Sequence, residues 1–301
     1  MTDQPLRVVI GGASGFLGTA LVEEFRSRGH AVTRLVRSQV PAGDASVWDP
    51  AAGKVDQRII DDADVVVNLS GSSIQKWPRT KGREKEILDS RIGATRTLAT
   101  AVARSRTPAV LLSGSGMSYY GVDRGDERLD ESASPGPGFL PEVTHAWEAA
   151  AAPAVEAGAR VCYLRTSIVL DESGGALKLM AIPFRRYGGA KLGSGEQYFS
   201  NISRTDWVRA VAHLAETDSV SGPVNLATAA PVTNAEFTRA LADAVGTKAF
   251  LTAPAFVLRA ALGGLADDLL GSLRLEPAAL AQSGFRFSAP DIESTLAQAL
   301  T

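Results

Sequence analysis

The chain is poor in the residues that build metal centres and disulfide frameworks. Its 301 residues include a single cysteine, Cys162, and three histidines, His30, His145 and His213, which show no metal-ligand spacing. One thiol cannot close a bridge within the chain, so a reducing compartment fits. Cys162 stands in the apolar run RVCYLRTSIVL, where burial raises a thiol's pKa and favours a structural role over a nucleophilic one. None of the histidines has a supporting neighbour from which a Ser/His/Asp set could be argued. An excess of one charge is lacking as well. The net charge of −2 argues against general binding to nucleic acid or to an anionic membrane. The acidic stretch DRGDERLDE (123–131) is interrupted by basic and apolar residues and reads as a solvated loop. No apolar run has the length of a membrane span. The first residues show neither the charged region nor the apolar stretch of a secretory signal, so the expected location is cytoplasmic.

What is present is the composition of a soluble globular protein, with 45% apolar and 21% charged residues, in a length that suits one large domain or two modest ones. Short β-branched runs alternate with helical patterns. RVVIGG (7–12), AVTRLVRS (31–38), ADVVVNLSG (63–71), AVLLSGSG (109–116) and RVCYLRTSIVL (160–170) read as strands. Between them, Phe16, Leu17, Leu21, Val22 and Phe25 line one face of a helix that Gly29 stops, and 90–105 and 147–159 read as further helices. Strands with so continuous an apolar character suit a parallel sheet covered on both faces. After residue 170 the pattern changes to a stretch rich in glycine, basic and aromatic residues. A helix over 204–217, a strand over 222–228 and a capped helix over 233–246 follow, and the apolar stretch 249–270 reads as helix packed on a core. The expected fold is α/β: a Rossmann-type doubly wound parallel sheet over 1–170, to which the chain returns at 202–228, with a smaller C-terminal α/β substrate domain over 171–301.

The most informative stretch is LRVVIGGASGFLGTALVEEF, in which Gly12, Gly15 and Gly18 are spaced by three where a strand gives way to a helix. Such a turn lets a diphosphate approach main chain that carries no side chains. Gly12 makes the tight turn, Gly15 permits close approach, and Gly18 lets the helix pack on the strand. The helix N-terminus adds N–H donors and the positive end of its dipole. In this context the pattern predicts dinucleotide binding, with Ser14, Phe16 and Leu17 completing the turn. The end of the second strand then discriminates between cofactors. An NAD-type site places an acid there to hold the ribose 2′-hydroxyl. RLVRS has none, and Arg37 with Ser38 suits a 2′-phosphate instead. Asp44 is the weaker acidic counter-candidate, lying beyond Pro41 in a loop. The expected cofactor is therefore NADP(H).

At this point the residues resemble a known family. GGASGFLG (11–18), VVVNLSGSSI (65–74), KEILDSRIGATRTL (85–98), SGSGMSYYG (113–121), LRTSIVLDESGGAL (164–177) and LGSGEQYFSNI (192–202), in this order and spacing, are similar to the extended short-chain dehydrogenase/reductases. More narrowly, they resemble the atypical branch called epimerase family proteins, alongside the nucleotide-sugar epimerases. The resemblance implies that Asn68, Leu69, Ser70 and Gly71 line the adenosine and ribose side of the cofactor. It implies that Ser113 and Ser115 stand beside the nicotinamide, with Ser115 a candidate catalytic residue, and that Arg165, Thr166 and Ile168 border its carboxamide. Many relatives pair through two long helices, which makes a homodimer an expectation.

The departures matter as much. The superfamily's Tyr-x-x-x-Lys pair, aligned on Glu148, falls on Leu140 and Thr144. In that pair the ammonium lowers the phenol's pKa so that it exchanges a proton near neutral pH, which neither leucine nor threonine can do. Tyr119 and Tyr120 are the substitute proton donors to consider, against the alternative that they pack a cleft wall. The tryptophan and histidine common in the branch are replaced near Asn201 and Ser203. Trp77, Lys81 and Lys85 form an aromatic and basic patch that either meets an anionic substrate or is a solvated helix face, and the same choice stands for Arg185, Arg186, Tyr187 and Lys191. Asp206 reads as a buttress of its own helix. Two functions follow: an NADP-dependent oxidoreductase or epimerase-like enzyme on a small polar substrate, or a non-catalytic NADP(H)-binding sensor or partner-binding protein.

Overall fold

The apolar runs of the first half assemble into one sheet. The computed structural model describes residues 4–38, 43–74, 80–263 and 265–301. Seven strands, β1 (Arg7–Gly11), β2 (Ala31–Val36), β3 (Ala45–Val47), β4 (Val65–Asn68), β5 (Val110–Gly116), β6 (Val161–Thr166) and β7 (Gly222–Leu226), lie in the order β7-β6-β5-β4-β1-β2-β3. The pairings from β3 through β2, β1 and β4 to β5 are parallel, with Val9 opposite both Thr33 and Val66. Strand order reverses between β1 and β4, and a doubly wound sheet offers its crevice at such a switch point.

Parallel strands need crossovers, and the helices supply them. They are α1 (Phe16–Ser27), α2 (Gln57–Asp61), α3 (Lys81–Arg104), α4 (Phe139–Ala149) and α5 (Ala152–Glu156). α1 buries Leu21, Val22 and Phe25 and ends where Gly29 takes a positive φ of 83°, so that the amides of Gly29 and His30 reach back to the carbonyls of Arg26 and Phe25. α3 starts nine residues before the expected 90, because Thr80 caps it by accepting the Arg83 amide. Val9, Val66 and Leu111 of the sheet pack against Leu98 and Val102 of α3 in one core cluster. Truncating a fully buried leucine such as Leu98 to alanine costs about 2–5 kcal/mol by loss of transfer energy and cavity formation.

The chain divides into two compact units: residues 1–116, 142–165 and 208–224, and residues 117–141, 166–207 and 225–301. The second has its own core, in which Leu177 and Phe184 of the helix Gly175–Tyr187 meet Phe237, Leu241 and Leu296. Its helix Asn234–Ala244 is held by a reciprocal capping box between Thr233 and Glu236, as the sequence implies. The stretch 249–270 departs from the expectation of a packed helix. It forms a strand, Ala249–Ala253, then the helices Ala255–Leu262 and Leu265–Leu270. Pro254 ends the strand and stands at the N-cap of the next helix, and Gly263 stops that helix with a φ of 54°. Phe250 and Phe256 are 71% and 74% exposed, so the segment's two phenylalanines stand outside the core. Among the described residues, no helix is long and apolar enough to cross a membrane.

Candidate functional site

The glycine turn between β1 and α1 is built as its spacing implies. Gly12 has a φ of 82°, and a Cβ there would stand 2.7 Å from the Leu69 main chain. A Cβ on Gly18 would stand 2.2 Å from the Gly12 carbonyl oxygen, so only glycine lets α1 start against the turn. Gly15 differs: its φ is −79° and its nearest obstacle lies 3.3 Å away, so the fold itself does not demand glycine there. What its bare backbone leaves open is approach from solvent. Ser14 and Gly15 are exposed, and Phe16 and Leu17 are half-buried. Gly15 is the N-cap of α1 without a side-chain cap, and no acidic residue stands in the first turn. This helix end is thus electropositive and uncapped from within.

At the end of β2, Arg37 and Ser38 are exposed, and no ion pair holds Arg37 among the described residues. Asp44, the acid that would favour NAD, is occupied: its carboxylate takes Arg34 at 2.7 Å and also pairs with Arg26. The end of β4 forms the opposite wall of the turn. The Leu69 amide donates to the Gly11 carbonyl, and Asn68, fully buried, accepts the Ser70 amide at 3.0 Å. Asn68 also donates to Thr95 of α3 at 2.8 Å, and the Trp147 indole N–H of α4 reaches the same hydroxyl at 2.9 Å. Gly114 of β5 makes room for this junction, since a Cβ there would stand 2.6 Å from the Trp147 ring. The hydroxyl of Ser70 is buried beside Gly11 with no hydrogen-bond partner among the described residues. A buried polar group left unpaired costs free energy, which a bound polar ligand would restore.

The serines on β5 meet different fates. Ser113 is fully buried with its hydroxyl on the Gly114 carbonyl at 3.4 Å. Ser115 donates to the Glu148 carboxylate of α4 at 2.6 Å, and Arg165 at the end of β6 grips that carboxylate at 2.9 and 3.0 Å. Arg165 is only 3% exposed. Sequence reasoning used Glu148 only as an alignment marker and missed this buried triad. Sequence reasoning also missed Arg91 on α3, whose guanidinium lies 4.9 Å over the Trp147 ring.

In the second unit, Tyr120 is fully buried and donates to the Asn225 carboxamide oxygen at 2.7 Å, while Tyr119 packs edge-on against it at 5.3 Å and is half-buried. Thr166 accepts the Trp207 indole N–H at 3.1 Å, and Ile168 pairs with Asn201 across two short strands. Ser203 caps the following helix through the Asp206 amide, and Asp206 itself accepts Ser288 and Ala289, a buttressing role. Arg185 is on a helix and pairs with Glu172, Lys85 of the first unit pairs with Asp89, and Trp77 lies outside the described residues. A cavity of about 470 Å³ in the second unit is lined by Asp123, Asp126, Glu196, Gln197, Tyr198 and Arg259 among others.

A doubly wound sheet with an uncapped glycine turn between β1 and α1 defines a Rossmann-type dinucleotide-binding fold. The comparisons agree. A model of the NAD dependent epimerase/dehydratase family matches residues 8–227, and one of a domain of unknown function, DUF1731, matches residues 253–299. Epimerase family protein Mb2239 of Mycobacterium bovis is 41% identical over 295 residues, which cover 98% of this chain and 97% of that protein. Among solved structures, human epimerase family protein SDR39U1 (isoform 2) with NADPH has a TM-score of 0.88 at 31% identity, covering 98% of this chain and 99% of that one. A nucleoside-diphosphate sugar epimerase from Corynebacterium glutamicum has a TM-score of 0.82 at 34% identity, covering 99% of this chain and 58% of that one. The chain belongs to the NAD-dependent epimerase/dehydratase family, in the branch of epimerase family proteins.

Proposed function

We propose that the protein binds NADP(H) and uses it as an oxidoreductase or epimerase-like enzyme on a small polar substrate. The observation that carries the cofactor is the uncapped turn at Gly12, Gly15 and Gly18, with no acid in the first turn of α1. Three features fit the same group. The Ser70 hydroxyl is buried without a partner, Asp44 is taken up by arginines, and Arg37 is exposed at the end of β2. NADPH in the human relative's structure supports the phosphate-bearing form. When bound, the dinucleotide supplies hydride exchange at its nicotinamide ring.

The chain's own residues divide the remaining work. Main-chain amides of the turn receive the pyrophosphate, and Arg37 with Ser38 holds the 2′-phosphate. The Asn68–Thr95–Trp147 junction fixes the end of β4 that faces the ribose. Ser115, held by Glu148 and Arg165, is oriented rather than mobile. Proton exchange falls to Tyr119, because Leu140 and Thr144 replace the usual pair and Tyr120 is fully buried whereas Tyr119 is half-buried.

The experiment is deuterium transfer from NADPH labelled at nicotinamide C4 to a panel of small carbonyl compounds and nucleotide-linked ketosugars, read by mass spectrometry. The expected result is label in product, with Tyr119→Phe slowing transfer by about 10²-fold. NADPH binding with no transfer to any acceptor would favour the non-catalytic sensor instead, which the loss of the tyrosine–lysine pair already supports.

A further inference from the structure

Arg91 is a cation without a counter-ion among the described residues. It stands on α3 and stacks on the Trp147 indole at 4.9 Å. Its Nη1 spends both protons on main-chain carbonyls, Ser72 at 2.9 Å and Ile87 at 3.1 Å. The aliphatic stem and guanidinium lie over Gly71, where a Cβ would stand 3.3 Å from three of its atoms. Among the described residues no carboxylate pairs with it. The nearest charge acting on it is another cation, Arg83, and burial with that repulsion pushes its pKa down to about 10, so it is charged at neutral pH. Arg165, also buried in the first unit, has a carboxylate partner in Glu148.

A half-buried guanidinium without a carboxylate costs stability and is kept where a ligand completes it. Its place is informative. Gly71 and Ser72 prolong the β4 end, one and two residues beyond the unpartnered Ser70 hydroxyl. Trp147 is one turn beyond Thr144 on α4, where the superfamily's lysine would stand. With Nη1 occupied and one face covered by indole, Nε and Nη2 form the planar edge that takes two oxygens of one oxyanion.

We propose that Arg91 is the oxyanion-binding residue of this site, receiving a phosphate or carboxylate group through Nε and Nη2. It thereby restores the positive charge that Thr144 removes from α4. The guanidinium acts by binding and orienting, not as an acid. The inference rests on the dinucleotide reading above. The oxyanion comes either from the dinucleotide's own pyrophosphate or from an acidic substrate, and binding measurements separate the two.

NADPH is titrated by fluorescence into wild type, Arg91→Gln and Arg91→Lys. Thermal midpoints of the NADPH-saturated proteins are then read with and without inorganic phosphate. If the pyrophosphate is the source, Arg91→Gln weakens NADPH by about tenfold to a hundredfold, and Arg91→Lys by less. If a substrate is the source, NADPH affinity is unchanged, and phosphate raises the midpoint of saturated wild type but not of Arg91→Gln. Equal NADPH affinity in all three proteins, with no difference in their response to phosphate, overturns the proposal. Because the lost group is an uncompensated cation, ligand-free Arg91→Gln is expected to melt at or above wild type. Should it fail to fold, Arg91→Lys reads the same titration, and no change in either measurement is again the contrary result. Wild type that binds no NADPH would refute the dinucleotide reading itself, whereas wild type that binds with unaffected variants refutes only the role of Arg91.

Discussion

The β1–α1 turn and the β5–α4 region lie in the same unit and meet opposite demands. The turn works by what it omits. Gly12 and Gly18 are there because a Cβ would collide with main chain, and Gly15 because its backbone is left open. The β5–α4 region works by what it fills in: Ser115, Glu148 and Arg165 saturate one another, and Trp147 packs into the space Gly114 leaves. The contrast separates a turn that leaves main chain open to a dinucleotide from a wall whose side chains are already paired with one another.

The sharpest way to break that contrast is Gly18→Ala. Its Cβ would be driven into the Gly12 carbonyl, so the turn must open; the expected loss is about 2–4 kcal/mol of stability, with NADPH binding abolished. Denaturant melts and titration read both, and near-normal binding would show that the turn is not the seat of the ligand. Next comes Glu148→Gln, which removes the carboxylate from a buried pair while keeping its shape. A cost of about 3 kcal/mol is expected, and a melt within about half a kcal/mol of wild type would mean that the triad is not structural. Tyr120→Phe leaves the Asn225 carboxamide oxygen short of a donor in a buried site. It should cost about 1–3 kcal/mol without altering NADPH affinity, and a loss of turnover larger than that of Tyr119→Phe would reverse the roles of the two tyrosines. The smallest effect is at Cys162. Burial pushes its thiol up to about 11, so native protein at pH 8 should alkylate at least about a hundredfold more slowly than denatured protein. Fast native labelling would deny that burial.

The parts legible in the sequence were those governed by local rules. Strand runs, the glycine turn, the Thr233–Glu236 capping box and the absence of an acid after β2 each follow from residues a few positions apart. The site's interior was not legible, because its partners are distant in the chain. Ser115 finds Glu148 across 33 residues, and Trp147 finds Thr95 across 52. Arg91 reads in sequence as one more charge on a helix, and its stacking on Trp147 is visible only in the fold. The apolar stretch 249–270 misled for a related reason: composition cannot tell a buried helix from a strand and two short helices that leave phenylalanines at the surface.

The most direct test of the account is the preference of the turn for the phosphate-bearing dinucleotide. NADPH and NADH are titrated by fluorescence into wild type and Arg37→Ala at one ionic strength. The account predicts that wild type binds NADPH about tenfold to a hundredfold more tightly than NADH, and that Arg37→Ala erases most of this difference by weakening NADPH alone. Equal binding of the two dinucleotides, unchanged by the substitution, would contradict it.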